Sequence, residues 1–75
     1  MKYIRTTSGI FIFPKYTDHD SFAYDLQMVA PRDMISAGFV MPGNSDPLIC
    51  YGKSMTLELE SLDEDTRLLT RQLEI

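Results

Sequence analysis

The stretch from Met34 to Tyr51, MISAGFVMPGNSDPLICY, reads as two strands and the turn that joins them. Ile35, Ala37, Phe39 and Met41 share one parity, the period of a strand with one face buried. Gly38 inside that run marks a bulge or a close approach of another backbone. Pro42-Gly43-Asn44-Ser45-Asp46-Pro47 places six turn-forming residues in a row, and Leu48-Ile49-Cys50-Tyr51 resumes an apolar, β-prone run. A hairpin is the simplest structure that uses all three pieces.

A second hairpin is expected upstream. Thr7-Ser8-Gly9 supplies turn chemistry between Met1 to Thr6 and Ile10-Phe11-Ile12-Phe13, and Pro14 ends that strand because it has no N–H for a ladder. Between the hairpins, Thr17, Asp18, Asp20 and Ser21 are N-cap residue types ahead of Phe22, Ala23, Leu26 and Val29. The spacing of Phe22, Leu26 and Val29 predicts a short helix. Phe22, Tyr24 and Leu26 also alternate, so a strand from Phe22 to Met28 competes. Pro31 makes Ala30 to Asp33 a loop.

Downstream, Gly52-Lys53 suits a tight turn into Met55, Leu57 and Leu59, which alternate with Thr56, Glu58 and Glu60. A half-buried strand from Met55 to Glu60 follows from that pattern. Ser61 and Glu64 stand three apart, the spacing of a capping box, and Asp63, Glu64 and Asp65 fill the first turn where the helix dipole favours negative charge. An amphipathic helix from Ser61 to Leu73 is expected, with Leu62, Leu69 and Leu73 on one face and Leu68 beside it. The fold class is therefore α+β: a mostly antiparallel sheet of four to five strands, built on two hairpins, with the C-terminal helix packed on one face.

Seventy-five residues make one small globular domain, residues 1–75. A chain of this size buries only roughly 60 to 65% of its unfolded surface, which leaves a thin core and makes a homodimer an open option. The longest purely apolar run, Ile10 to Phe13, is far short of a membrane span or a signal-peptide core, and the chain reads as soluble and cytoplasmic with no membrane partner. Cys50 is the only cysteine, so no internal disulfide forms, and no Cys/His cluster is present to hold a metal.

Charge is distributed unevenly. Lys2, Arg5, Lys15, Arg32 and Lys53 balance Asp18, Asp20, Asp25, Asp33 and Asp46, so the whole net charge of −4 lies beyond Ser54. A phosphate backbone needs several basic groups gathered on one surface, and here they are scattered, which disfavours nucleic acid as a partner.

Four features invite a chemical reading. Gly52-Lys53-Ser54 matches the end of a phosphate-binding loop, but the glycine required five residues earlier is replaced by Pro47, so a turn is the better reading. His19, flanked by Asp18 and Asp20, has the makings of a base or a metal ligand; its plainer reading is a solvated loop residue. Cys50 would be a nucleophile if His19 lay within reach, and otherwise a packed thiol. Glu58, Glu60, Asp63, Glu64 and Asp65 are either a solvated face with a well-capped helix start or a negative docking surface for a basic partner. Such a surface could also imitate a phosphate backbone. No catalytic or cofactor-binding residue is assigned.

Several segments resemble pieces of a group of short bacteriophage and prophage proteins of uncharacterised function. They are Lys2-Tyr3-Ile4-Arg5, Ile35-Ser36-Ala37-Gly38-Phe39-Val40, Cys50-Tyr51-Gly52-Lys53-Ser54, and Asp65-Thr66 with Leu68-Leu69 and Gln72-Leu73. They cover about a third of the chain, and no functional residue is carried over with them. The resemblance implies a small cytoplasmic protein of a mobile element, from a class whose members often bind and modulate host proteins. The functional expectation is a non-enzymatic interaction or modulator protein that uses a sheet edge or its acidic surface. The alternative is a small nucleic-acid-associated regulatory protein, which requires Lys2, Arg5, Lys15, Arg32 and Lys53 to converge.

Overall fold

A computed structural model describes residues 1–25 and 33–74. The elements run β1 (Lys2–Thr6), β2 (Gly9–Phe13), α1 (His19–Asp25), β3 (Met34–Pro42), β4 (Leu48–Tyr51), β5 (Lys53–Ser54), β6 (Leu59–Glu60) and α2 (Asp63–Leu73). Both expected hairpins form and are joined through their first strands into one antiparallel sheet of order β2-β1-β3-β4. In the first, Thr6 closes the turn: its Oγ1 accepts the Ser8 N–H at 3.0 Å and donates to the Gly9 carbonyl at 3.2 Å.

The period of two sorts the sheet's side chains onto two covered faces. Tyr3, Ile10, Val40 and Cys50 pack with Leu69 of α2, and Ile12, Leu48 and Leu68 lie against them. On the opposite face Ile4, Phe13 and Ala37 pack with Ala23 of α1, flanked by Phe22, Met34, Leu57 and Leu59. Phe22 stacks on Phe13 with ring centroids 4.1 Å apart. The helix reading of this segment holds for α1, whose first backbone bond runs from the Phe22 N–H to the Asp18 carbonyl. Leu26, Val29 and the loop at 30–32 lie outside the described residues.

Gly38 is a site of close approach: a Cβ placed there would stand 2.4 Å from the Tyr51 carbonyl oxygen. The register shift lies elsewhere, where Arg5 faces Ser36 and Thr6 faces Met34, so Ile35 is the extra residue.

Two expectations need correction. Met55 to Glu60 is not a strand; residues 55–58 turn, and only β6 pairs, with β5, in a separate two-stranded sheet. Ser54 drives this, since its Oγ accepts the Leu57 N–H at 3.2 Å and meets the Thr56 hydroxyl at 3.4 Å, a local side-chain turn that outcompetes a ladder. Glu58 is pushed into the left-handed region at φ 57°. Leu57 and Leu59 still reach the core, which is why their alternation looked like a strand.

The helix cap is shifted by one residue. Leu62, not Ser61, is the N-cap of α2, and Asp65 rather than Glu64 supplies the carboxylate that accepts the cap N–H, at 2.9 Å. The buried line of α2 accordingly runs through Asp65 and Leu69, while Leu62 and Leu73 are exposed.

α2 also reaches both edges of the sheet. The Gln72 side-chain amide holds Ile10 of β2, accepting its N–H at 3.0 Å and donating to its C=O at 2.8 Å. At the other edge the Cys50 N–H of β4 donates to Thr66 Oγ1 at 2.9 Å. Unpaired strand groups template aggregation, and this helix occupies one such position on each edge.

Candidate functional site

The acidic group splits into an exposed part and a buried member. Glu58, Glu60, Asp63 and Glu64 are exposed around β6 and the first turn of α2, while Asp65 is fully buried. Asp65 is therefore no part of the exposed acidic surface and instead anchors α2. Its carboxylate accepts from the Tyr3 hydroxyl, from Arg5 Nη1 at 3.0 Å and from the Leu62 N–H. Burial pushes the carboxyl up, but the Leu62 N–H, the Tyr3 hydroxyl, nearby Ser36 and the Arg5 guanidinium outweigh it and hold the group below the usual carboxylate range. The Ser36 hydroxyl, wholly buried, favours the ionised form from beside the cluster but has no hydrogen-bond partner among the described residues. Tyr3 is driven the opposite way by burial and by the carboxylate beside it, so it stays a phenol.

Glu64 contacts the same guanidinium at 3.2 Å from an exposed position. Among the described residues, Glu58, Glu60 and Asp63 have no basic side chain within salt-bridge distance. Glu58 and Glu60 border an open groove of about 390 Å³, lined also by Lys53, Ser54, Met55 and Leu59. Met55 is largely exposed, so the groove offers apolar surface beside carboxylates. Its shape follows from the Ser54 turn, which brings Lys53 opposite Glu60.

His19 is neither a solvated loop residue nor a partner of Cys50. It is 4% exposed at the start of α1, with Nε2 2.8 Å from the Gly38 carbonyl and its ring edge-on to Phe13 and Phe39. Since a carbonyl only accepts, Nε2 carries the proton. Burial, the largest influence, and the Lys2 charge lower its pKa, against the Gly38 carbonyl, Asp18 and Asp20. Cys50 packs on the α2 face while Phe39, which touches His19, is paired with Tyr51 on the other. Burial and the Asp65 charge push the Cys50 thiol up to about 11, the state of a packed thiol rather than a nucleophile.

A pH effect follows from His19. A histidine whose folded pKa is depressed contributes stability that is full above its unfolded value, about 6.5, and is lost as pH falls below it. The urea midpoint is expected to drop between pH about 7 and 5, and His19→Gln to flatten that slope. An unchanged slope in the variant would show that the imidazole is not the titrating group.

The basic residues do not gather. Arg5 is committed to Asp65 and Glu64, Lys2 donates to the Thr17 carbonyl at 2.9 Å, and Arg32 lies outside the described residues. Lys2 and Lys53 do border one small cleft of about 190 Å³, shared with Asp18 and His19. Among the described residues no helix is long and apolar enough to cross a membrane. No family model, curated protein or solved structure matches this chain.

Neither the inward turn of Asp65 nor the burial of His19 was anticipated. A signal existed for both: Asp65 stands four residues before Leu69, and His19 four before Ala23, each on the buried line of its helix.

Proposed function

We propose that this chain is a small non-enzymatic protein-binding module, a modulator of bacteriophage or prophage origin that acts in the cytoplasm on a basic surface of a host protein. The observation that carries the reading is the division of the acidic group. Asp65 is neutralised inside, whereas Glu58, Glu60, Asp63 and Glu64 face solvent along one continuous segment beside exposed Met55 and Leu62. Exposed carboxylates steer a basic partner and set its orientation; Glu58, Glu60 and Asp63 have no salt-bridge partner among the described residues, Glu64 shares Arg5 with Asp65, and the apolar side chains supply contact area. Self-association as a homodimer belongs to the same reading, on surface the carboxylates leave free. The buried thiol and buried imidazole on opposite sheet faces support a non-catalytic role.

The test is affinity capture from bacterial lysate, untreated and nuclease-treated in parallel, with the wild type and with Glu58→Lys/Glu60→Lys/Asp63→Lys, both confirmed as folded by circular dichroism. The expected result is a stoichiometric protein held by the wild type, released by raised salt and absent from the triple variant. Equal capture by both chains, or retention of nucleic acid alone, would overturn the reading.

A further inference from the structure

Gln72 bonds both backbone groups of Ile10, and that pairing fixes the geometry of the whole β2 edge. In an antiparallel ladder each residue turns its N–H and C=O to the same side, and the side alternates along the strand. Ile10 turns both groups away from β1 to meet Gln72, so Ile12 turns its own outward as well. Natural edge strands are blunted by charges, prolines or bulges. β2, Gly9–Phe13, contains none of these within its five residues, GIFIF. Among the described residues, its protection at Ile10 is one side-chain amide from an exposed residue.

We propose that Gln72 is a removable plug on the β2 edge, and that the occupant it holds off is a second copy of this chain, paired antiparallel through its own β2. This rests on the homodimer part of the reading above and gives it an interface. Self-complementarity identifies the occupant. A two-fold axis at Phe11 sets Ile10 opposite the partner's Ile12 and Ile12 opposite the partner's Ile10. Those are the residues whose backbone groups face outward, so two reciprocal pairs form. Phe11 then faces the partner's Phe11 as a non-hydrogen-bonded pair, the closer kind, in which side chains touch. Phe11 is 36% exposed in the monomer, with ring surface to give to that contact. No like charges meet across the strand pair.

The exchange is near balance, which is what a plug requires. Each copy gives up two bonds from Gln72 to Ile10, and the pair gains four between backbones. An edge contact of this length falls below the ~1,200 Å² of a standard stable interface, so the wild-type dimer is weak and concentration-dependent. Removing the plug removes its competition without touching β2.

The experiment is sedimentation equilibrium on four chains whose folding is checked by circular dichroism: wild type, Gln72→Ala, Phe11→Lys and Phe11→Glu. Gln72→Ala is expected to dimerise more tightly than wild type by about thirtyfold or more, because the pair is spared the loss of four neutral hydrogen bonds, two in each copy. Phe11→Lys and Phe11→Glu should each be monomeric, since like charges would meet at the axis, and their equimolar mixture should form a heterodimer. Because these two substitutions fall on an exposed side chain, they keep the test decisive if Gln72→Ala fails to fold. A Gln72→Ala dimer that persists with Phe11→Lys added would overturn this interface while leaving the homodimer standing. Monomers throughout would overturn both, and neither result bears on the acidic docking surface, which the charge-reversal variant tests separately.

Discussion

Asp65→Ala is expected to leave the chain unfolded or barely folded at neutral pH. The substitution removes the acceptor for the Tyr3 hydroxyl, the Arg5 guanidinium and the Leu62 N–H together. Tyr3 is fully buried and Arg5 half-buried, so water does not replace what is lost. Removing one partner of a buried ion pair costs about 3–5 kcal/mol. A chain of this length has roughly 4 to 11 kcal/mol of total stability, so the loss takes a large share of it. Asp65→Asn should cost less, because its amide oxygen still accepts one bond while its NH₂ faces the guanidinium. Asp63→Ala, two residues earlier and exposed, should change stability by about 0.5 kcal/mol or less. Urea midpoints on the three variants measure this directly, and an Asp65→Ala midpoint matching that of Asp63→Ala would show that the buried cluster does not hold α2. The pH dependence carries the same sign. Asp65 is held below its unfolded pKa, so its contribution is complete above about pH 4 and is lost as pH falls through the folded value. That window lies below the one set by His19, and the two acid transitions should separate in Asp65→Asn and His19→Gln.

The elements defined by local pattern were legible in the sequence, and those defined by long-range polar contacts were not. The β-prone runs and the six turn residues between them specify β3, the connection and β4. Thr7-Ser8-Gly9 does the same for β1 and β2. The parity inside β3 does not hold: Ile35 is the bulged residue and, like Met41, exposed, while Ser36 and Val40 are buried. Between Met55 and Glu60 the levels conflict: the apolar period favours a strand, while the Ser54 hydroxyl and the left-handed backbone at Glu58 favour a turn, and the turn prevails. In α2 the leucines mark only part of the buried line, since Leu69 and Leu68 pack on the sheet but Leu62 and Leu73 stay exposed while Asp65, Thr66 and Gln72 turn toward it. Their partners Arg5, Cys50 and Ile10 are 60, 16 and 62 positions away in sequence, separations that no local window registers. The exposed carboxylates were legible for the opposite reason. Glu58, Glu60, Asp63 and Glu64 need no distant partner to stay in water, and only the member opposite Tyr3 and Arg5 was drawn inside.

Gly38→Ala is expected to destabilise the chain by about 3 kcal/mol, the upper end of what overpacking costs, because the obstacle is backbone rather than a side chain. The new methyl group would stand 2.4 Å from the Tyr51 carbonyl oxygen and 3.3 Å from the Gly52 carbonyl carbon and oxygen. Those atoms belong to the point where the chain leaves β4, and Gly52, at φ 77°, makes the bend into β5. Gly52 has no slack of its own, since a Cβ there would already meet the Phe39 ring at 2.9 Å. Relief requires β4 to move off β3, which weakens the Phe39 and Tyr51 pairing and shifts the Gly38 carbonyl that holds His19. Ser36→Ala, two residues earlier on the same strand, provides the contrast. Its hydroxyl is buried without a partner among the described residues, so its removal should change stability by about 1 kcal/mol or less. Thermal or urea unfolding of the two variants decides the matter, and a Gly38→Ala chain as stable as Ser36→Ala would mean that β4 does not cross β3 this closely. The functional consequence follows from the same geometry. The segment displaced by Gly38→Ala leads directly into Lys53 and the groove bordered by Glu58 and Glu60, so the binding proposed for the acidic surface should weaken even at temperatures where the variant remains folded.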